Sequence, residues 1–316
     1  MKALQYDRYG GPQVLKLREA PVPRPALWEC LVRVHAASLN PADWKLMAGQ
    51  WRFATGRRFP RGIGIDFSGT VEQAGSLSGN FRPGERVMGM LNPVLRGALA
   101  EYLTVPGRAL SRVPRNLGFA EAAGVPVACG TAFLSLYHRR RDLRGRRVLI
   151  TGAGGGVGHF ALQLAARAGA EVTAVCGQRK AALCLELGAA RVVDYAREDP
   201  LAGREPFDLI LDCASRIPFP LARERLAPGG EYLFLDTGGR VTPFLRTLAS
   251  QLSRGRRQWT FLILPSGRRG RMLAERIERE SLRVVVGGFY ALGDAPEAFR
   301  ELMSGHATGK LLIRVE

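Results

Sequence analysis

The chain has 316 residues, 46% hydrophobic and 23% charged, which fits about two globular domains of roughly 100–200 residues each and excludes a disordered or fibrous class. No apolar run approaches the roughly 18–20 residues of a membrane span, and Met1 to Gly11 lacks the basic flank and apolar stretch of a signal peptide, so no membrane is expected as partner and a cytoplasmic location follows. The net charge of +18 is carried by arginine, with lysine only at Lys2, Lys16, Lys45, Lys180 and Lys310; its clusters are not interleaved with aromatics, so nucleic acid is not the expected partner.

From Met1 to Leu117, short runs are punctuated by Gly and Pro. They are Val14–Leu17, Cys30–His35, Asp66–Gln73, Arg86–Met90 and Glu101–Val105. Runs bounded in this way predict a mostly β domain. From Gly118 to Leu264 the pattern alternates strand and helix, with strands at Val148–Thr151, Val172–Cys176, Val192–Asp194, Leu209–Asp212, Tyr232–Leu235 and Thr260–Leu264. That alternation predicts an α/β, doubly wound parallel sheet. After Pro265 the pattern predicts a helix over Gly270–Ser281, a strand over Arg283–Gly287, a helix opened by Asp294 and Pro296, and a closing strand over Gly309–Val315. The tail from 265 to 316 is expected to rejoin the first domain. The apolar run Thr260–Leu264 is the expected sheet edge, where a homodimer would pair.

The segment Val148-Leu-Ile-Thr-Gly-Ala-Gly-Gly-Gly-Val-Gly-His159 runs from an apolar strand through a glycine turn into a helix. Val157, Phe160, Ala161, Leu164, Ala165 and Ala168 recur at spacings of three and four, on one helical face. With Val172–Cys176 the segment completes a βαβ unit. Gly155 and Gly158 hold the last two glycine positions of the dinucleotide fingerprint, and Ala153 stands at the first. Glycine there lets a pyrophosphate approach the backbone, and the helix N-terminus supplies free N–H groups and partial positive charge. An NAD site usually carries an acid at the end of the second strand. Here the sequence is Cys176-Gly177-Gln178-Arg179-Lys180. A small residue followed by two cations fits a 2′-phosphate, so NADPH is the expected cofactor.

The chain resembles the medium-chain dehydrogenase/reductase superfamily, in its quinone oxidoreductase branch. The resemblance rests on Ser38-Leu-Asn-Pro-Ala-Asp-Trp-Lys45, Gly64-Ile-Asp-Phe-Ser-Gly-Thr-Val71, Pro83-Gly-Glu-Arg-Val87, Gly130-Thr-Ala132, the glycine loop, Leu226-Ala-Pro-Gly-Gly230 and Ser304-Gly-His-Ala-Thr-Gly-Lys310. It implies a GroES-like, mostly β catalytic domain made from residues 1–117 and 265–316. A Rossmann domain over 118–264 is inserted between them, with the active site in the cleft. It places Gly155, Gly156, Val157, Gly158, Gly177, Arg179, Lys180, Tyr195, Thr131 and Lys310 at the cofactor. It also makes Asn40 the polar group that orients the acceptor, with Asp43 bracing that segment or acting directly. Thr131 is expected beside the nicotinamide.

Zinc-dependent relatives carry a cysteine in the entry segment and a Gly-His-Glu further on. This chain has Asn40-Pro41 and Gly64-Ile65-Asp66 there, and no cluster of four cysteines, so no metal is expected. Without a Lewis acid, a simple ketone is a hard acceptor, whereas a quinone or enone delocalises the incoming charge. The expected activity is therefore NADPH-dependent reduction of quinones or α,β-unsaturated carbonyls, with a small conjugated molecule as partner. Two alternatives stand beside it: an enoyl reductase acting on a carrier-bound or coenzyme A thioester, and a non-catalytic nucleotide- or RNA-binding protein. The five scattered cysteines contain no C-x-x-C pair and read as small buried residues.

Overall fold

In the computed structural model, the described residues are 1–92, 97–137, 142–235, 257–260 and 263–315. The chain divides into two units, Met1–Gly130 with Ile263–Glu316, and Thr131–Leu262. In chain order the first stretch holds β1 (Lys2–Tyr6), β2 (Leu15–Glu19), β3 (Glu29–Ser38), α1 (Pro41–Met47), α2 (Arg52–Thr55) and β4 (Arg61–Gly62). It continues with β5 (Asp66–Ala74), β6 (Arg86–Met90), β7 (Tyr102–Pro106), β8 (Leu110–Arg112), α3 (Phe119–Ala123) and α4 (Pro126–Tyr137). The middle holds β9 (Arg147–Thr151), α5 (Gly158–Arg167), β10 (Glu171–Cys176), α6 (Ala181–Glu186) and β11 (Arg191–Asp194), then β12 (Phe207–Asp212), α7 (Phe219–Glu224), β13 (Leu226–Phe234) and β14 (Arg257–Trp259). The tail holds α8 (Gly267–Glu280), β15 (Val286–Ala291), α9 (Ala295–Met303) and β16 (Lys310–Arg314). The division near residue 130, rather than at 117, follows from α3, which packs on β3 and β5 of the first unit.

The first unit is built on β3. It pairs with β5 along one edge, and with β7 and then β16 along the other. With both edges and both faces covered, Cys30, Val32, Val34 and Ala37 are fully buried. The complete sheet runs β15-β16-β3-β5-β6-β8, with β7 also on β3; a second sheet runs β2-β1-β4. Antiparallel pairing sets Leu312 opposite Ser38 and Ile313 opposite Ala37. The amide of Leu39 then donates to the Leu311 carbonyl at 3.0 Å, so the end of the chain lies beside the start of α1. Phe299 of α9 is fully buried in the same core as Phe67 of β5.

Among the described residues, the second unit is a six-stranded, all-parallel sheet in the order β11-β10-β9-β12-β13-β14. Successive strands step outward from β9 in one direction and then, from β12, in the other. Ligands in such sheets sit beyond the carboxyl ends of the strands where the order reverses. That point is the β9–α5 turn, which carries the glycine loop.

Two expected strands lie elsewhere. The sheet edge is β14 at Arg257–Trp259 rather than Thr260–Leu264; Phe261 and Leu262 are outside the described residues. The strand expected at Arg283–Gly287 is β15 at Val286–Ala291, with a register shift between Val286 and Gly288 where it pairs with β16. Gly287 and Gly288 both lie within the strand. A Cβ on Gly287 would stand 1.9 Å from the Thr308 carbonyl oxygen, so close backbone approach explains the glycine.

Candidate active site

In the first unit, Asn40 has extended backbone angles (φ −131°, ψ 152°) ahead of α1, and Pro41 follows in the first turn. The Asp43 carboxylate accepts the Asn40 N–H at 2.7 Å, which fixes the entry to the helix. The Asn40 side chain is held from both ends. Its Oδ1 accepts from the Lys310 ammonium at 2.7 Å, and its Nδ2 donates to Asp66 Oδ2 at 3.0 Å. An ammonium only donates and a carboxylate chiefly accepts, so the amide has one possible orientation. Its second N–H is left to serve another acceptor.

The rest of the cluster compensates the buried charges. Lys310 also donates to the Leu39 carbonyl at 2.9 Å and lies 3.9 Å from Asp66. Asp66 accepts from Ser38 Oγ at 3.2 Å and from the Val127 N–H at 3.1 Å. Asn40, Asp43, Asp66 and Lys310 are each 3% exposed or less. Burial pushes the Asp66 carboxyl up to about 6, opposed by Lys310 and by its hydrogen bonds. Burial pushes Asp43 up to about 8, against the Asn40 N–H. Burial pushes the Lys310 ammonium down, while Asp66 and Asp43 hold it up. Burial thus drives all three groups toward their neutral forms, and the contacts of Lys310 with Asp66 and Asn40 oppose it.

The second unit carries the glycine loop. The left-handed residue of the turn is Gly152 (φ +58°), one place before Ala153, which explains why alanine is accepted at the first fingerprint position. Gly158 is required by packing, since a Cβ there would stand 2.1 Å from the Gly152 carbonyl oxygen. Gly155, Gly156 and Val157 are half-buried ahead of α5, whose first turn leaves N–H groups without intrahelical partners. The Lys180 side chain lies over this turn, because a Cβ on Gly154 would meet Lys180 Cδ at 2.8 Å. A Cβ on Gly177 would meet the Tyr195 hydroxyl at 3.3 Å. Arg179 is exposed, and Tyr195 is 56% exposed. Gly177, Lys180 and Tyr195 thus gather at the ends of β10 and β11, beside the glycine loop. The backbone turn at Gly152, the half-buried glycines and the adjacent cations fit a dinucleotide.

Thr131 is buried within α4, and Lys310 joins the Asn40 group of the first unit. The sequence reading gave no role to Asp66, which anchors Asn40, or to Asp212. Asp212 is fully buried at the end of β12 and accepts from the Ile217 N–H at 2.8 Å and the Tyr232 hydroxyl at 2.9 Å. It also accepts from Thr151, which closes β9 just before Gly152. These contacts brace the loop after β12 against the glycine turn. An acid at the end of a parallel strand is the one signal that marks Asp212 in the sequence.

Residues 27–115 match the family model for the alcohol dehydrogenase GroES-like domain, and residues 187–313 match the model for zinc-binding dehydrogenase. The chain is 35% identical over 324 residues to the chloroplastic quinone-oxidoreductase QR1 of Triphysaria versicolor, covering 99% of this chain and 98% of that one. It is 32% identical over 360 residues to the mitochondrial NAD(P)H oxidoreductase RTN4IP1 of Homo sapiens, covering 100% and 89%. The solved structure of the quinone oxidoreductase from Coxiella burnetii matches with a TM-score of 0.91 at 32% identity, covering 100% of this chain and 99% of that one. The fold and these likenesses define an oxidoreductase with a GroES-like unit and a Rossmann unit. The chain belongs to the medium-chain dehydrogenase/reductase superfamily, in its quinone oxidoreductase branch.

The zinc of that second model's description does not fit the residues present. Among the described residues, no group of three or more His, Cys, Asp or Glu is placed to hold a metal ion. The Asp66 carboxylate faces the Lys310 ammonium, and a divalent cation beside it would meet a buried positive charge.

The Asp43 carboxyl gives a pH prediction. Its folded-state value of about 8 lies above the ordinary 3.8. The folded state therefore keeps a proton that the unfolded state releases, and stability falls as pH rises from 3.8 through about 8. Asp43→Asn keeps an oxygen for the Asn40 N–H and removes the titration. Urea unfolding across this window should show the variant losing less stability with rising pH than the wild type. Parallel profiles would show that Asp43 does not hold its proton in the fold.

Proposed function

We propose that the protein transfers hydride from NADPH to quinones or α,β-unsaturated carbonyls without a metal. The observation that carries the reading is the doubly anchored Asn40 amide, with Lys310 on its oxygen and Asp66 on one N–H. Bound NADPH supplies the hydride. The remaining Asn40 N–H donates to the acceptor's carbonyl oxygen as negative charge develops there. Because both ends of the amide are already held, no reorganisation is needed at that moment. The Lys310 ammonium behind the amide oxygen polarises the group toward donation. One such donor suffices for an acceptor that spreads its charge into a ring or enolate.

The test follows NADPH consumption with a benzoquinone, a naphthoquinone, an alkenal, an enoyl thioester and a simple ketone, each with and without chelator. Turnover should be confined to conjugated acceptors and unaffected by chelator. Asn40→Ala should lower turnover about 100-fold, the usual loss for one donor to a developing oxyanion, with NADPH affinity retained. Ketone reduction abolished by chelator, or full activity in Asn40→Ala, would contradict the reading.

Preference for NADPH is proposed from the absence of an acid after Cys176 and the nearness of two cations. Lys180 lies along the glycine turn, and Arg179 is exposed to take the 2′-phosphate in a planar, two-pronged contact. Arg179→Ala should weaken NADPH binding about 10–100-fold, as expected for losing hydrogen bonds to a charged group, and leave NADH binding unchanged. Equal losses for both nucleotides would move the phosphate contact elsewhere.

A further inference from the structure

Two cysteines bracket the segment assigned to the cofactor's ribose. Cys176 closes β10, Cys184 lies in α6, and Gly177, Arg179 and Lys180 run between them. The Cys184 thiol donates to the Cys176 sulfur, with the two sulfurs 3.6 Å apart. A disulfide needs about 2.05 Å, so a small closure of α6 onto the strand end is enough. Cys176 is pinned by parallel pairing of β10 with β9 and β11, whereas Cys184 rides on a six-residue helix. Both thiols are buried, while the residues that follow Cys176 are more open: Gly177 is half-buried, and Gln178 and Arg179 are exposed.

The pair is chemically unequal. The hydrogen bond from Cys184 pulls the Cys176 thiol below its ordinary range, and Lys180 acts in the same direction. The same hydrogen bond, with burial, pushes the Cys184 thiol up. Cys176 is the readier thiolate, with Cys184 in position to resolve it.

We propose that Cys176 and Cys184 are a redox modification site: a hydroperoxide joins them in a disulfide that lowers affinity for NADPH. The proposal rests on the reading of Gly177 to Lys180 as the ribose-phosphate segment. The Cys176 thiolate attacks the peroxide, the O–O bond breaks, and with a proton one water (or alcohol) leaves, giving a sulfenic acid. The Cys184 sulfur attacks that sulfenic sulfur, the S–S bond forms, and a second water leaves with the Cys184 proton. Two thiols are oxidised and one peroxide is reduced. Drawing α6 toward β10 shortens the span held by Gly177 to Lys180. It thereby displaces Lys180 from the glycine turn and Gly177 from the Tyr195 ring. By reciprocity, bound NADPH disfavours the disulfide at equilibrium by the factor through which the bond weakens NADPH binding.

The experiment treats the full-length protein with hydrogen peroxide, maps peptides without reduction, and titrates NADPH before oxidation, after it and after dithiothreitol. The map should show a Cys176–Cys184 bond, and the dissociation constant should rise about tenfold, within the usual range of coupling between sites, and return on reduction. Cys184→Ala should bind NADPH as the reduced wild type does and show no peroxide-dependent loss. Cys184→Ser, which keeps the volume, guards against a packing effect of alanine. Failure of the bond to form, or a bond that leaves NADPH affinity unchanged, overturns the proposal. Reduced protein that never binds NADPH overturns the cofactor reading beneath it, while the peptide map reports separately on the bond.

Discussion

The Lys310 ammonium is the point on which the first unit is organised. A charge this deeply buried costs several kcal/mol unless geometry and hydrogen bonds compensate. Here the compensation comes from the Leu39 carbonyl, the Asn40 amide oxygen and Asp66. These partners sit at the end of β3, the start of α1 and the start of β5, while Lys310 opens β16. Satisfying one cation thus fixes four elements and ties the chain's end to its beginning. Removing any one partner leaves an uncompensated group in the core, so the cluster holds as a unit.

That constraint also fixes the Asn40 amide. The amide of Asn40 could in principle point either way, but a donor on one side and a carboxylate on the other leave a single arrangement. A preorganised N–H is what a developing enolate or hydroquinone anion requires. The glycine loop of the second unit solves a separate problem, close approach of phosphates to backbone, and does so with its own bracing from Thr151 and Asp212.

The parts legible in the sequence are those set by local periodicity and spacing. The βαβ unit and the cations after Cys176 lie within about thirty residues of one another, the usual span of such a unit, and the parallel order follows from the regular alternation of strands and helices. The parts that were not legible depend on long-range pairing. Asp66 meets Asn40 across 26 positions, and Lys310 meets it across 270. No spacing rule links those residues before β16 is known to lie beside β3. The strand expected at Arg283–Gly287 begins instead at Val286, where Gly287 lets the Thr308 backbone approach. Cys176 and Cys184 read as ordinary small core residues until the helix that carries one is seen to stack its sulfur on the other.

The most direct test of this account is the single-turnover rate of hydride transfer from NADPH to a benzoquinone in Lys310→Met. If the ammonium orients and polarises Asn40, the rate should fall about 10–100-fold, as when one preorganised electrostatic contact is lost, while the NADPH dissociation constant stays where it was. An unchanged hydride-transfer rate would show that Lys310 only packs the chain's end. A loss confined to NADPH affinity would put Lys310 at the cofactor instead of behind the amide.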